Sequence, residues 1–185
     1  MKKKLEDQAI LGRAKSLIIH GIKEDPWVER SFENSNTEMA PTRIQQRASL
    51  IQTITNICQE RLQINLAESD ITDARRIAPS KGNNPGQVLV DFSTKYIRDR
   101  IYQARTLLKT SRGNSEPRIF VNENLTKANA NLFFAARSLV KNKKLSSAWT
   151  MNGYVYVKSD SDSNAKPKRI WNISDLTAWK PSDAD

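Results

Sequence analysis

Residues 87–109, QVLVDFSTKYIRDRIYQARTLLK, decide the fold because a strand pattern passes directly into a helix pattern. The run QVLVDF has the composition and length of a short strand. Thr94 is a suitable helix N-cap, and apolar residues then recur at helical spacing as far as Lys109. These apolar residues form one stripe: Ile97, Ile101, Ala104 and Leu108. The stretch therefore predicts a strand followed by a helix that packs on a core.

The same predicted helix carries a second stripe, made of four cations and one aromatic residue. Its members are spaced three or four residues apart: Lys95, Arg98, Tyr102, Arg105 and Lys109. A row of long cations about one turn apart suits a chain of phosphates. A solvated helix face has the same pattern, so the spacing alone leaves both interpretations open. The net charge of +10 and the isoelectric point near 9.8 favour nucleic acid.

The composition excludes several other classes of protein. Among 185 residues there is one cysteine, Cys58, so an internal disulfide is excluded, and with a single histidine a structural zinc site is excluded too. We expect Cys58 to be buried without a redox role. No apolar run approaches the ~20 residues of a membrane span, and no signal-peptide core follows MKKKLEDQ. The sequence thus predicts a cytoplasmic or nuclear protein without cofactor or membrane partner.

Outward from residues 87–109, the chain alternates strands and helices in a recognisable order. Strands are predicted at 16–22, 71–78, 87–92 and 118–121, and helices begin after Thr42 and Thr94. The first of these helices has an apolar face: Ile44, Ala48, Ile51, Ile54, Cys58 and Leu62. Strand, helix, strand, strand, helix, strand is the order of ferredoxin-like and RNA-recognition-motif domains. We therefore predict an α+β, RNA-recognition-motif-like (ferredoxin-like βαββαβ) domain at 16–122, preceded at 1–15 by a helix that is a candidate end of a coiled coil.

A small α+β C-terminal domain is predicted at 123–180, with a frayed tail at 181–185. A helix capped by Thr126 runs to about Asn142. Asn152-Gly153 between two strand patterns is a strong signal for a type I′ hairpin. Alternation directs the valines of the second strand inward and three residues outward: Tyr154, Tyr156 and Lys158. A further strand at 169–172 and a short helix capped by Ser174 complete the prediction.

Five segments together carry a resemblance to a known family. They are SLIIHGI, ARRIA, PGQVLVDFSTKYIRDRIYQARTLL, RIFVNENLT with NLFFAARSLVKNKK, and WTMNGYVYVK. In this order they resemble the first-open-reading-frame protein of LINE-type (non-LTR) retrotransposons. The baculovirus few-polyhedra protein is similar through its C-terminal half. The resemblance covers residues 14–176.

The resemblance implies a domain of RNA-recognition-motif type and a compact C-terminal domain behind a trimeric coiled coil. It implies binding of single-stranded RNA and DNA without strong sequence preference, with nucleic-acid chaperone activity in a ribonucleoprotein particle. In the family the strand is thought to follow a basic cleft between the domains, which maps here onto Arg105, Lys109 and Arg112. Residues 1–15 correspond to the end of that coiled coil, through which the resemblance implies a homotrimer.

The predicted sheet lacks the base-stacking aromatics of an ordinary RNA-recognition motif. On its central strands only Phe92, at a strand end, is a candidate for an exposed ring. Arg75 and Arg76 lie on opposite faces of the second strand, and one of them is expected to reach solvent or an acid such as Asp73. We therefore expect binding to depend on cations outside the sheet, which hold phosphates and read little sequence.

Two further groups of candidate residues lie in the C-terminal domain. One shares a helix side, Arg137, Lys141 and Lys144; a solvated helix end explains this group equally well. The other is the outward hairpin face with its tryptophan: Trp149, Tyr154, Tyr156 and Lys158. Packing against neighbouring elements is the alternative for these rings. The loop cations beside Trp171 are expected to be solvated, although they are also candidates to clamp a strand: Lys166, Lys168 and Arg169.

Enzymatic interpretations find little support in the sequence. His20 lies inside an apolar strand, and the pairs Asp70 with Asp73 and Asp160 with Asp162 sit where solvation explains them. Phosphate-binding glycine motifs are missing from the sequence. We predict a non-enzymatic, sequence-tolerant binder of single-stranded RNA and DNA with chaperone character. The alternative is a protein-interaction or assembly module of the few-polyhedra type.

Overall fold

The computed structural model describes residues 2–23, 43–77, 86–109, 118–159 and 166–177. The chain divides into two compact units. The central unit is Lys15–Asn122, and the terminal unit combines Met1–Ala14 with Glu123–Asp185. Arg112, residues 24–42 between the first predicted strand and the first long helix, and the predicted tail at 181–185 lie outside the described residues.

The described residues form five α-helices and seven strands. The helices are α1 (Lys2–Leu11), α2 (Arg43–Leu62), α3 (Lys95–Ala104), α4 (Lys127–Lys141) and α5 (Ser174–Thr177). The strands are β1 (Ser16–His20), β2 (Ile71–Arg76), β3 (Val88–Phe92), β4 (Phe120–Glu123), β5 (Ser147–Met151), β6 (Tyr154–Lys158) and β7 (Lys168–Ile170). Short 3₁₀ helices lie at Glu68–Asp70 and Arg105–Lys109.

The central unit is an α+β structure around a four-stranded antiparallel sheet, which confirms the predicted class. The strand order is β2-β3-β1-β4, and β3 pairs antiparallel with both β1 and β2. Helix α2 contacts β2, while α3 contacts β1 and β3. Alternate strand residues, with side chains on one face, meet these helices in one core, which includes Leu17, Val88 and Val90. Cys58 of α2 is buried there, and burial raises the pKa of its thiol to about 12, so the thiol is protonated at neutral pH.

Three residues of the central unit are buried where the sequence predicts exposure, or exposed where it predicts burial. Phe92, expected at an exposed strand end, is 1% exposed because it continues the alternation of Val88 and Val90 into the core. Ile44 and Ala48, expected on the buried face of α2, are exposed. A 20-residue helix is ~30 Å long, whereas strands of five or six residues span ~17–20 Å. The helix is therefore longer than the strands on which it packs. Burial on α2 begins at Leu50, and the earlier Arg47 contacts β2 through polar groups, the Thr72 carbonyl oxygen and Asp73.

Helix α3 begins and packs as predicted but ends earlier. The Thr94 side chain accepts a hydrogen bond from the Ile97 backbone N–H, as an N-cap does. The α-helix ends at Ala104, and a 3₁₀ helix continues to Lys109 where the sequence predicted one α-helix. The 3₁₀ turn advances three residues per turn, so the cationic stripe loses its α spacing beyond Ala104. Leu108 is still buried in the core.

Gly21 marks a close approach between the chain leaving β1 and the segment that enters β4. Its φ of +86° lies in the left-handed region, which favours glycine. A Cβ on Gly21 would lie 2.0 Å from the backbone carbonyl oxygen of Arg118. The two backbones can therefore meet only because no side chain stands between them.

The terminal unit is built around a three-stranded sheet of order β5-β6-β7. Positive φ values at Asn152 (52°) and Gly153 (81°) form the predicted hairpin turn between β5 and β6. Asn129 of α4 donates a hydrogen bond from Nδ2 to the Gly153 carbonyl oxygen at 2.8 Å. Thr126 caps α4 by accepting a hydrogen bond from the Asn129 backbone N–H. The core lies on one face of the sheet and contains Leu132, Ala136, Leu145, Val155, Val157, Ile170 and Leu176.

Helix α1 belongs to this terminal unit and contacts the β5–β6 hairpin. Ile10 is buried, and the Tyr154 hydroxyl donates a hydrogen bond to Asp7 Oδ1 at 3.0 Å. Glu6 accepts a hydrogen bond from the Thr126 hydroxyl. Leu5 and Leu11 remain 61% and 71% exposed, and the coiled coil stays a prediction. Among the helices in the described ranges, none combines the length and the apolar composition needed to cross a membrane.

Candidate nucleic-acid interface

The cationic stripe of α3 is partly neutralised by Asp99. Lys95 forms an (i, i+4) ion pair with Asp99, and Arg98 Nη1 lies 2.7 Å from Asp99 Oδ1. Arg98 is only 4% exposed. It lies beside Ile97 and three residues before Ile101, at the edge of the apolar stripe, so its aliphatic stem is buried with the core. The sequence spacing predicted the row of cations but not this burial.

Tyr102 organises the remainder of the stripe. The Arg98 guanidinium carbon lies 5.0 Å from the centre of the Tyr102 ring, and that of Arg105 lies 3.7 Å from it. Arg105 also donates a hydrogen bond to the Tyr102 carbonyl oxygen. The backbone of Lys109 ends the 3₁₀ helix, and its side chain is not among those described. Lys95 and Arg105 are therefore the accessible described cations of this stripe.

We expect Asp99→Asn to lower the free energy of unfolding by ~1 kcal/mol at neutral pH, since it leaves the buried Arg98 without its carboxylate. Partial burial alone would raise the pKa of Asp99, but hydrogen bonds and charges from Lys95 and Arg98 together hold that pKa below its ordinary value. The contribution of the Asp99 ion pairs to the free energy of unfolding is therefore complete above the ordinary carboxyl pKa of ~4. It is lost as pH falls through the lowered pKa of the folded state. Urea unfolding at pH 7 and in acid measures it. Glu60→Gln, at an exposed acid of α2, is the control. If the difference in free energy of unfolding between the wild-type protein and Asp99→Asn stayed the same in acid, it could not come from the ion pairs of Asp99.

The cations of α4 do not form one helical row. Arg137 and Lys141 are exposed, and the Arg137 guanidinium carbon lies 5.8 Å from the centre of the Phe133 ring. The helix ends at Lys141, and a φ of 57° at Lys143 turns the chain before Lys144, which is also exposed. Lys144 thus lies off the helix side on which the sequence placed it.

The outward side of the terminal sheet carries aromatic rings and a cation in mutual contact. Trp149 on β5 and Tyr156 on β6 are cross-strand partners, and their rings stack with centroids 6.1 Å apart and planes 16° apart. Arg169 on β7 is the partner of Tyr156 on the other side. We call this surface the aromatic face; it consists of Trp149, Tyr154, Tyr156, Arg169 and Trp171.

Arg169 lies against two rings of the aromatic face. Its guanidinium carbon is 3.3 Å from the centre of the Tyr154 ring and 3.6 Å from the centre of the Trp171 ring. Within the described part of the chain, its buried Nε has no hydrogen-bond partner. Contact with the faces of aromatic rings holds a guanidinium in place without using its N–H donors. Trp171 is 50% exposed and Arg169 is partly exposed, so the face offers solvent a ring and part of a cation.

The sequence predicted three of the five residues of the aromatic face as binding residues. Trp149, Tyr154 and Tyr156 were predicted from the hairpin. Arg169 was predicted to begin the strand at 169–172, with its side chain solvated or clamping a strand beside Trp171. The structure places Lys168 and Arg169 in β7, paired with β6. The alternation in Arg169-Ile170-Trp171, with a buried residue between two outward ones, was the available signal. Lys158 is half-buried at the end of β6, next to the face.

The face of the central sheet opposite the helices carries polar pairs. Arg75 pairs with Asp73, as expected, and also with Asp91, whose Oδ2 lies 3.2 Å from Arg75 Nη1. The Ser16 hydroxyl donates a hydrogen bond to the same Asp91. Phe120, which is 52% exposed on the edge strand β4, was missed by the sequence.

The residues considered for catalysis have structural contacts of other kinds. Asp70 accepts a hydrogen bond from the Ala67 backbone N–H, and Asp73 pairs with Arg47 as well as with Arg75. Burial lowers the pKa of the His20 imidazole, which favours its neutral form at neutral pH. Across the ranges that the structure describes, His, Cys, Asp and Glu side chains do not cluster in a way that could hold a metal ion. Asp160 and Asp162 lie outside the described residues.

Comparison with known proteins adds no assignment. Neither the protein-family models nor the curated proteins include a match to this chain.

Proposed function

We propose that this protein binds single-stranded RNA and DNA without strong sequence preference and acts as a nucleic-acid chaperone. The observation that carries the proposal is the aromatic face, where Arg169 lies between Tyr154 and Trp171. Exposed rings stack on bases of any sequence, and guanidinium groups bind phosphates. The net charge of +10 supplies the sequence-independent attraction.

Further support comes from the central unit. We propose that its sheet order β2-β3-β1-β4 is the ferredoxin-like arrangement of RNA-recognition motifs, and that the chain is related to the LINE-type retrotransposon proteins. The central strands lack exposed aromatics once Phe92 is found in the core. Bases would therefore stack outside this sheet. We further propose that the protein works in the cytoplasm or nucleus, within a ribonucleoprotein particle.

Titration of fluorescent 20-nucleotide strands tests the proposed function. We expect oligo(U), oligo(dT) and a mixed sequence to bind with affinities within about tenfold, because stacking and phosphate contacts tolerate every base. The logarithm of the binding constant should fall linearly with the logarithm of salt concentration, by ~0.7 per phosphate contact. The protein should also speed annealing of complementary strands, since many weak contacts exchange quickly. Negligible binding at 50 mM salt would contradict the proposal.

A second candidate function is protein assembly, and α1 is the feature that favours it. Ile10 fixes one side of α1 to its own unit, while Leu5 and Leu11 stay exposed. Exposed leucines on a helix are suited to contact with another helix, such as that of a second or third copy. Molar mass in solution tests this candidate: a trimer that persists at high salt would support it. A monomer at all salt concentrations would remove it.

A further inference from the structure

A groove of about 420 Å³ lies in the central unit, where three elements meet. Arg61 comes from the last turn of α2, Arg105 and Leu108 from the 3₁₀ helix after α3, and Arg118 from the residues that lead into β4. Phe120 and Asn122 of β4 complete the set on which the inference rests. We call it the arginine groove. Only Arg105 among these residues was predicted as a binding residue.

The described lining of the arginine groove is cationic. Among the residues that the structure describes, it contains three arginines and neither Asp nor Glu. Contact with Tyr102 fixes the guanidinium of Arg105. An anion bound in the cavity could accept charge-assisted hydrogen bonds from these guanidinium groups.

The groove also offers a surface for a planar apolar group. Phe120 is 52% exposed, although large aromatic side chains are usually buried. Beside it lie the buried Leu108 and the exposed amide of Asn122, a side chain that can donate and accept hydrogen bonds. A cavity of this size is at the small end of ligand pockets and suits one nucleotide.

We propose that the arginine groove binds one nucleoside phosphate, with the phosphate held by Arg61, Arg105 and Arg118 and the base against Phe120. The nucleotide is either a unit of a bound strand or a free mononucleotide, which present the same chemistry. Binding of a nucleotide unit of a strand, the first source, deepens the proposed function and rests on it. The second is independent of that function, and the aromatic face belongs to the other unit of the chain.

Calorimetric titration of the full chain with UMP and with inorganic phosphate tests the inference. UMP should bind, and Arg118→Gln should weaken it about tenfold, the effect of one charge-assisted hydrogen bond. Phe120→Ala should weaken UMP but leave inorganic phosphate unchanged. Both changes are at exposed side chains, so the fold should persist. Arg100→Gln removes an exposed cation of α3 outside the groove and is the matched control.

A 20-nucleotide strand distinguishes the two sources. If the strand displaces UMP, the groove takes a unit of the strand, and if UMP stays bound, the groove takes free nucleotide. Binding of UMP without binding of the strand would support the groove while contradicting the proposed function. If UMP does not bind, and Arg118→Gln leaves strand binding unchanged, the proposal for the groove is overturned while the proposed function stands. An equal effect of Arg100→Gln and Arg118→Gln on UMP would overturn it as well.

Discussion

Trp171→Ala is expected to weaken binding of a single-stranded 20-mer by about tenfold or more. A base stacked on an aromatic ring contributes ~1–3 kcal/mol, and tenfold in affinity corresponds to ~1.4 kcal/mol. The ring is half exposed, and its contact with Arg169 is one of the two that hold that guanidinium. Truncation therefore removes a stacking surface and also frees the cation beside it. Fluorescence anisotropy at fixed salt measures the change.

Two further variants separate stacking from charge. Trp171→Ala removes no charge, so it should lower affinity without changing the dependence on salt, whereas Arg169→Gln should flatten the slope by ~0.7. Phe134→Ala is the matched control, because Phe134 is a 75% exposed ring of α4 in the same unit and does not belong to the aromatic face. We expect it to change affinity less than twofold. Equal losses from Phe134→Ala and Trp171→Ala would show that the aromatic face has no special role.

Gly21→Ala is expected to destabilise the central unit by ~3 kcal/mol or more, the largest effect on stability that we predict. A non-glycine residue in the left-handed region costs ~1–3 kcal/mol at a φ such as this +86°. In addition, the new Cβ would lie 2.0 Å from the Arg118 carbonyl oxygen, so the backbone on one side must move. This movement would separate the end of β1 from the entry to β4.

Hydrogen exchange read by mass spectrometry measures this effect unit by unit. Peptides from β1 and β4 should lose protection in Gly21→Ala, whereas peptides from β5 and β6 should keep it. Gly12→Ala is the control, since its Cβ would meet its nearest neighbour at 3.6 Å, an ordinary contact. Unchanged protection in β1 and β4 of Gly21→Ala would show that the close approach is not a constraint.

Local patterns in the sequence predicted most of the fold. The β-branched run before Gly21, the Thr94 cap and the Asn152-Gly153 turn all occur where the sequence placed them. Each depends on residues a few positions apart, whose preferences act within one element. The errors arose where an element meets the remainder of its unit. The exposure of Ile44, for example, depends on the length of α2 relative to the strands, which no local pattern records.

The candidate sites were harder to predict because their residues converge from distant segments. The spacing of Arg98 indicated its helix face, but its contact with Asp99 and its burial depend on packing. Arg169 joins Tyr154 only through the pairing of β6 with β7. The arginine groove likewise combines α2, the 3₁₀ helix and β4. A count of cations predicts attraction to nucleic acid, whereas the geometry of their neighbours determines which cations are accessible.

Photocross-linking of a 5-iodouridine-containing single strand, followed by mass spectrometry, tests the stacking surface most directly. The probe reacts with aromatic side chains on which the modified base is stacked. We predict cross-links to the rings of the aromatic face: Trp171, Tyr154, Tyr156 or Trp149. A cross-link at Trp171 should disappear in Trp171→Ala. Cross-links confined to rings outside the aromatic face, such as Phe134 or Tyr96, would contradict the account.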